Sequence, residues 1–152
     1  MTEVLIKRLS KNIDLPKYET NGSSGMDLSA NIEKKIKIEP GKTSIIPTGI
    51  SVSIPKNFEI QIRSRSGLAA KNQISVLNSP GTIDADYRGE IKVILINLGN
   101  KTFVIERGAR IAQMVLCPIV KAKFKEVDNL DDTDRGAGGF GSTGLKWFMQ
   151  FG

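Results

Sequence analysis

The sequence predicts an all-β fold, either a sandwich, a jelly roll or a barrel. Apolar and polar residues alternate with a period of two in many short segments, the pattern of strands with one buried face. Groups of Pro, Gly and Asn separate these segments and predict turns. Many short strands at such spacing are typical of all-β architectures.

Seven segments carry the strand pattern. In chain order they are 34–38, 49–54, 58–62, 90–97, 103–105, 111–116 and 122–127. The predicted turns include E-P-G-K at 39–42, I-P-K-N at 54–57, N-S-P-G at 78–81 and L-G-N-K at 98–101. One short helix is predicted over 66–72, S-G-L-A-A-K-N, with Ser66 as its N-cap.

A chain of 152 residues suggests a single domain, and its composition changes near the C-terminus. We expect a β-domain over residues 1–127. From Asp128 onward come four aspartates in seven residues, then R-G-A-G-G-F-G-S-T-G at 135–144, then an aromatic end with Trp147 and Phe148. We expect residues 128–152 to form a flexible C-terminal arm.

The absence of histidine narrows the possible chemistry. The sequence has no histidine and one cysteine, Cys117, which lies among apolar residues and is expected to be buried. Ser-His and Cys-His catalysis and histidine metal sites are therefore excluded. Any reaction must depend on carboxylates, Arg or Lys, hydroxyls, backbone amides, or a hard metal such as Mg²⁺.

The net charge of +6 favours an anionic partner. The charges form no long basic run and the aromatic residues are not interleaved with them, which favours a small phosphorylated ligand over nucleic acid. No apolar run approaches the roughly 18 residues of a membrane span, and the N-terminus has no signal-peptide pattern. We expect a cytoplasmic protein with no membrane partner.

The glycine-rich segment 135–144 matches the dinucleotide pattern G-x-G-x-x-G twice, but its context excludes that function. An acidic segment precedes it in place of a strand, and no acidic residue follows it. Two interpretations remain from the residues alone. The segment is a linker, or it becomes ordered on a ligand, with donors from Arg135, Ser142 and Thr143 and a stacking ring from Phe140.

Four further stretches combine residues that suit chemistry, although each also has an ordinary structural explanation. They are S-G-M-D-L-S-A at 24–30, S-R-S-G-L-A at 64–69, N-S-P-G-T-I-D-A-D-Y-R-G-E at 78–90 and R-G-A-R-I-A-Q-M-V-L at 107–116. The second places Arg65 at a helix start, which favours an anion. The third is expected to be a hairpin in which Ile83 and Tyr87 shield Asp84 from water.

Taken in order, these five stretches resemble the five motifs of the homotrimeric dUTP diphosphatases (dUTPases), over residues 24–144. The resemblance implies a jelly-roll-like distorted β-barrel with one short helix. It also implies a homotrimer whose active sites lie between subunits, each closed by a C-terminal arm. The implied reaction is Mg²⁺-dependent hydrolysis of dUTP to dUMP and pyrophosphate, which limits uracil incorporation into DNA and supplies dUMP for thymidylate synthesis.

The resemblance also implies roles for individual residues. Asp84 matches the aspartate that activates the water attacking the α-phosphorus, and Asp27 matches the one that supports the metal through its water ligands. The implied phosphate-binding residues are Arg65, Ser66, Gly67 and Gln113. The implied uracil and sugar residues are Asn78, Thr82, Ile83, Tyr87 and Lys92. The implied arm residues are Arg135, Phe140, Gly141, Ser142 and Thr143.

The chain departs from the family pattern at two positions, and two other functions remain open. Ser64 stands where proline is common, and Ala109 where an acidic residue is usual, so we expect a supporting salt bridge of the family to be missing. A dCTP deaminase of the same superfamily would need Glu90, the nearby glutamate, to activate water. A non-catalytic regulator switched by dUTP is the other alternative. The tail at 145–152 has no functional explanation.

Overall fold

Eleven strands and one helix make up the regular structure of residues 2–141, the part of the chain that this computed structural model describes. The strands are β1 Leu5–Arg8, β2 Met26–Ser29, β3 Ile36–Ile38, β4 Thr43–Pro47, β5 Ile50–Ser53, β6 Phe58–Arg63, β7 Ile74–Val76, β8 Gly81–Ile83, β9 Lys92–Asn97, β10 Phe103–Ile105 and β11 Arg110–Pro118. The helix, α1, is Ser66–Asn72.

Antiparallel pairing joins these strands into a jelly-roll-like all-β fold, as predicted. The largest sheet has the order β2-β11-β6-β8, and a second has the order β4-β9-β7. Two ribbons, β1-β5 and β3-β10, complete the pairing. Because neighbours in the largest sheet are distant in sequence, it brings four separate segments of the chain side by side.

Branched aliphatic residues form the core. Ile46, Ile91, Leu95 and Ile105 are completely buried. In β9 the buried residues alternate with accessible ones, which is the period-two pattern that predicted it. Isoleucine and valine suit strands because their branched side chains pack well on a pleated surface.

Buried polar side chains in the core have hydrogen-bond partners. Asn97 donates from Nδ2 to the carbonyl oxygens of Ile38 and Lys101, at 2.7 and 2.8 Å, and its Oδ1 accepts from the Gly99 amide at 2.9 Å. Thr48 Oγ1 donates to the Ile91 carbonyl at 2.6 Å. Since an unpaired buried polar group is costly, these bonds specify how the turns meet the sheets.

The predicted helix is confirmed with its bounds, but its predicted N-cap is wrong. Ser66 is the first helical residue, and Arg65 occupies the N-cap position without a side-chain capping bond. The Arg65 side chain is instead directed to an ion pair with Asp27. Strand 103–105 is confirmed with its bounds, and each of the other confirmed strands differs from its prediction by one or two residues at an end.

Two predicted elements are wrong. Residues 122–127 form no strand, because their side chains are exposed and no neighbouring strand pairs with them among the described residues. Residues 78–90 do not form a hairpin of their own, because β8 pairs with β6 whereas β9 pairs with β4 and β7. Strands β1, β2, β4, β7 and β8 were not predicted, and Cys117 is only partly buried.

The chain divides into two compact units, Met1–Lys121 and Ala122–Gly152. The first contains the eleven strands and the helix given above. In the second, the described residues are almost all exposed and include turns at 134–137. A flexible arm over 128–152 stays a prediction, since it concerns motion. Within residues 2–141, no helix has the length and apolar character needed to cross a bilayer.

Candidate active site

Two pockets of the first unit contain the predicted site residues of that unit. The first, here called the Asp27 pocket, has a volume of about 330 Å³ and includes Asp27, Arg65, Ser66, Gly67 and Gln113 in its wall. The second, here called the Asp84 pocket, has a volume of about 230 Å³ and is lined by Asn78, Thr82, Ile83, Asp84, Tyr87 and Lys92. The two pockets have no lining residue in common.

Strand register brings the residues of the Asp27 pocket together. Asp27 on β2 lies opposite Gln113 on β11, and Gln113 lies opposite Arg63 at the end of β6. The chain then leaves β6 through Ser64 and Arg65 into α1. Three segments separated by about 36 to 86 positions in the chain therefore meet within adjacent strands, which are roughly 4.8 Å apart.

The Asp27 carboxylate joins two arginines. Arg65 Nε donates to Asp27 Oδ1 at 2.8 Å, and Arg110 Nη1 donates to Asp27 Oδ2 at 3.2 Å. Arg65 and Asp27 are largely buried, with 26% and 21% of their side chains exposed. Such charge-assisted hydrogen bonds are stronger than neutral ones, so this group fixes the Arg65 side chain. Arg110 was not among the predicted site residues.

Gln113 is fixed by two neighbours that the sequence analysis also did not assign to the site. Its Nε2 donates to the Ser64 carbonyl at 3.0 Å. Its Oε1 lies so close to Gly25 that a Cβ atom on residue 25 would be 2.4 Å away. Glycine at this position therefore provides the space that the glutamine amide occupies.

The unusual Ser64 strengthens its turn. Ser64 Oγ accepts a hydrogen bond from the Val76 amide at 2.9 Å and lies 3.0 Å from Ser75 Oγ. Proline has no side-chain oxygen and could not form these bonds. At the other departure, Ala109 has no charged group to form a salt bridge and packs, partly buried, against the hydrophobic core.

The Asp84 pocket is built on the edge strand β8. Gly81 lies opposite Ile62 of β6, and a Cβ atom on Gly81 would be 3.2 Å from Asn78 Nδ2 and from Ile62 Cβ. The missing side chain therefore lets Asn78 lie close to the sheet. The peptide bond between Ser79 and Pro80, just before β8, is cis.

A tight turn after β8 presents Asp84 and Tyr87. The Tyr87 amide donates to the Asp84 carbonyl at 3.1 Å, and Arg88 Nη1 donates to the Ala85 carbonyl at 2.7 Å. The Tyr87 hydroxyl donates to the Glu90 carbonyl at 2.9 Å. A Cβ atom on Gly89 would be 2.3 Å from this hydroxyl, so glycine is needed where the tyrosine folds back.

Asp84 is exposed to solvent in the single chain, so the expectation that Ile83 and Tyr87 shield it is wrong within one chain. Glu90 has a structural partner, since its Oε1 accepts a hydrogen bond from the Gly49 amide at 2.8 Å. Its other carboxylate oxygen is 3.9 Å from Lys92 Nζ. These contacts use the carboxylate that the deaminase alternative requires as a free base.

The described side chains of the Asp27 pocket cannot hold a metal ion by themselves, so a metal there would need further ligands such as water or substrate. Among residues 2–141, no group of three or more Asp, Glu or Cys side chains is arranged to hold a metal ion. Each oxygen of Asp27 already accepts a hydrogen bond from an arginine. A carboxylate oxygen has a second lone pair, which allows Asp27 to accept from a metal-bound water.

The arm residues lie in the second unit. Arg135 Nε donates to the Gly138 carbonyl at 2.8 Å, and the Gly138 amide donates to the Arg135 carbonyl at 2.9 Å. Phe140 is fully exposed and has a positive φ of 51°, followed by Gly141 with a φ of 87°. The predicted residues Ser142 and Thr143 lie outside the described residues.

Comparisons of the chain with a family model, with known sequences and with solved structures all find dUTPases. The sequence model of the dUTPase family matches residues 11–144. The chain is 58% identical to deoxyuridine 5'-triphosphate nucleotidohydrolase of Rickettsia bellii over 146 residues, covering 95% of this chain and 97% of that protein. It is 56% identical to the protein of the same name from Brucella melitensis over 137 residues, covering 89% and 87%. A dUTPase mutant of Staphylococcus bacteriophage 80alpha, solved with dUpNHpp, superposes with a TM-score of 0.86 at 26% identity, covering 95% of this chain and 100% of that one.

Substitution of Gly25 tests the packing of the Asp27 pocket. In Gly25→Ala the new methyl group would be 2.4 Å from Gln113 Oε1, so we expect the amide to leave its bond with Ser64. Because the end of the glutamine side chain can move aside, the expected loss in the free energy of unfolding is that of one hydrogen bond, about 1 kcal/mol, measured by urea titration at one protein concentration. Gly22→Ala is the control, since no atom lies within 4 Å of its Cβ position. Equal stability of Gly25→Ala and Gly22→Ala would contradict the close packing of Gln113 against Gly25.

Proposed function

The chain belongs to the dUTPase family, and we propose that its two pockets are the two halves of one dUTP-binding site. The protein hydrolyses dUTP to dUMP and pyrophosphate. This division of the site is supported by the different types of residue in the two pockets. The guanidinium, hydroxyl and amide groups that suit phosphates lie in the Asp27 pocket, whereas the residues that suit a nucleoside lie in the Asp84 pocket.

The triphosphate is proposed to bind in the Asp27 pocket. Arg65 retains N–H groups that neither Asp27 nor the Arg110 carbonyl accepts, and these are available for phosphate oxygens. Ser66 supplies a hydroxyl, Gly67 a backbone amide in the first turn of α1, where amides have no partner within the helix, and Gln113 an amide group fixed by Ser64. Preorganised donors of this kind stabilise charge as it develops on a transferring phosphoryl group.

The nucleoside is proposed to bind in the Asp84 pocket. Asn78 and the main chain at Thr82, Ile83 and Lys92 supply hydrogen-bonding groups for the edge of uracil. A site that pairs with a hydrogen-bonding edge can lower kcat/KM for an unmatched base by a factor of about 10⁴–10⁵. The Tyr87 ring, held by its bond to the Glu90 carbonyl, packs beneath the deoxyribose and excludes a ribose 2′-hydroxyl.

Asp84 is proposed to be the general base that removes a proton from the water attacking the α-phosphorus. Its exposed carboxylate, at the mouth of the nucleoside pocket, is accessible to that water. General-base catalysis typically contributes about 10²–10⁴ to the rate, so it accounts for only part of the acceleration. The donors around the triphosphate must supply the rest.

Mg²⁺ is proposed as the cofactor. When bound to the triphosphate it neutralises charge and orients the phosphate oxygens. Mg²⁺ keeps several of its waters and is usually held by few carboxylates together with substrate phosphates. Asp27 fits a contact through such a water, because its oxygens are hydrogen-bonded by arginines and retain accepting capacity.

A homotrimer with active sites between subunits is proposed to unite the pockets. They share no lining residue, and Asp84 is exposed in the single chain. Packing the Asp84 pocket of one subunit against the Asp27 pocket of another would shield the catalytic carboxylate. The arm, through Arg135, Phe140, Gly141, Ser142 and Thr143, is proposed to close the site, with the exposed Phe140 ring covering the base.

An activity assay across nucleoside triphosphates tests the function. With Mg²⁺ present, we expect pyrophosphate release from dUTP and rates at least about 10³-fold lower for dCTP, dTTP and UTP, because the pocket reads both base edge and sugar. Chelation of the metal should abolish turnover. Ammonia release from dCTP would instead support the deaminase alternative.

Substitution of Asp84 tests the general base. In Asp84→Asn we expect kcat to fall by about 10²–10⁴ while the affinity for dUpNHpp changes by less than about threefold, because the amide keeps the shape but accepts no proton. Asp86→Asn is the matched control, since Asp86 is in the same turn but does not line the Asp84 pocket. Near-normal turnover in Asp84→Asn would refute the assignment.

Truncation after Asp134 tests the arm. We expect a folded protein of unchanged oligomeric state whose kcat/KM for dUTP falls by about 10²-fold or more, because the closing residues that exclude water are lost. Truncation after Gly144 keeps those residues and removes the aromatic tail, so it is the control. Full activity after the longer truncation would make the arm a simple linker.

A further inference from the structure

Arg110 is connected to both members of the Asp27–Arg65 ion pair. Its Nη1 donates to Asp27 Oδ2 at 3.2 Å, and its own carbonyl oxygen accepts from Arg65 Nη1 at 3.2 Å. With the Arg65–Asp27 bond at 2.8 Å, these contacts close a ring of three residues. The side chain and the backbone of one residue thus hold the carboxylate and the guanidinium in place.

A β-bulge places Arg110 in this position. In the pairing of β11 with β2, Arg110 lies opposite Ser29 and Ala112 lies opposite Leu28, so Ile111 is an extra residue. Consequently Ile111 and Ala112 are both buried, although they are adjacent in the strand. A bulge redirects the neighbouring side chain, and here the arginine reaches the carboxylate oxygen of Asp27 that Arg65 does not bind.

The ring of contacts among Asp27, Arg65 and Arg110 determines how many N–H groups of Arg65 remain for a ligand. Of the five N–H groups of its guanidinium, the Nε one is bound by Asp27 and one on Nη1 by the Arg110 carbonyl, which leaves three. Since one carboxylate is shared by two arginines, the three side chains together keep a formal charge of +1. Arg65 is therefore held without being neutralised.

We propose that Arg110 is a positioning residue for Arg65, acting through Asp27 to fix the guanidinium that binds the triphosphate. This inference rests on the proposed phosphate-binding function of the Asp27 pocket. Arg110 does not itself touch the substrate in this assignment, and its side chain is 55% exposed beside the pocket. Its loss should therefore affect binding of the triphosphate more than binding of the nucleoside.

Three variants test the proposal in the full-length protein. Arg110→Met keeps the length of the side chain and the backbone carbonyl but loses the guanidinium. We expect its Kd for dUpNHpp to rise roughly tenfold, because a charge-assisted hydrogen bond is lost, while its Kd for dUMP stays within about twofold. Arg110→Lys should recover most of the affinity for dUpNHpp. Arg107→Met is the control, because it removes the same charge from the same segment without contact to Asp27.

A double-mutant cycle separates positioning from direct contact with phosphate. If Arg110 acts through Asp27, Arg110→Met should weaken dUpNHpp binding by less than about twofold in an Asp27→Asn background. Additive effects of the two substitutions would overturn the proposal. An equal loss in Arg107→Met would also overturn it, since charge alone would then explain the effect.

The result is distinguishable from failure of the proposed function. If the parent protein hydrolyses dUTP and Arg110→Met binds dUpNHpp normally, only the positioning role is wrong. If the parent does not bind dUpNHpp, the proposed function itself fails. If Arg110→Met does not fold, Arg110→Lys still tests the proposal. A folded Arg110→Lys variant that has lost its affinity for dUpNHpp would contradict positioning through the charge of the side chain.

Discussion

The pairing of β6 with two different strands is the constraint on which both pockets depend. On one side β6 pairs with β11 from Phe58 to Arg63, and on the other it pairs with β8 from Ile60 to Ile62. The first pairing sets Gln113 opposite the end of β6, where the chain turns to Arg65. The second fixes the start of the loop that carries Asp84. One strand thus sets the positions of the proposed phosphate-binding and nucleoside-binding residues, and its own Ile62 lines the Asp84 pocket.

The chemistry of the reaction explains why the residues of the Asp27 pocket are tied to charged and polar neighbours whereas Asp84 is not. Binding a triphosphate, the proposed role of the Asp27 pocket, needs fixed donors, and Arg65 and Gln113 are fixed there by hydrogen bonds to neighbouring groups. Activating water needs a carboxylate that no arginine neutralises. Asp84 has no ion-pair partner among the described residues, whereas Asp27 has two. Of the two aspartates, Asp84 is therefore the one suited to a base and Asp27 the one suited to organising cations.

The sequence predicted those features that depend on local pattern. Helix α1 was predicted with its bounds, and the predicted residues of the first unit line two pockets. The features that were missed depend on distant pairing. The partner of β8 is a strand about 20 residues earlier, so 78–90 resembled a hairpin, and the contact of Arg110 with Asp27 depends on a bulge that no local pattern reveals. Segment 122–127 alternates like a strand, but alternation without a partner forms no sheet.

The glycines show why a pattern must be interpreted through the contacts of each position. At Gly25, Gly81 and Gly89, a side chain would collide with Gln113, with Asn78 and Ile62, or with Tyr87, so glycine clears space for residues that form the pockets. At Gly136 and Gly141, no atom lies closer than 3.8 Å to the Cβ position, and the requirement is a positive φ of 48° or 87°. The first group shapes binding walls, and the second permits turns around Phe140. A count of glycines in G-x-G-x-x-G cannot distinguish these requirements, which is why that match at 136–144 indicated a dinucleotide site that the surrounding chain does not support.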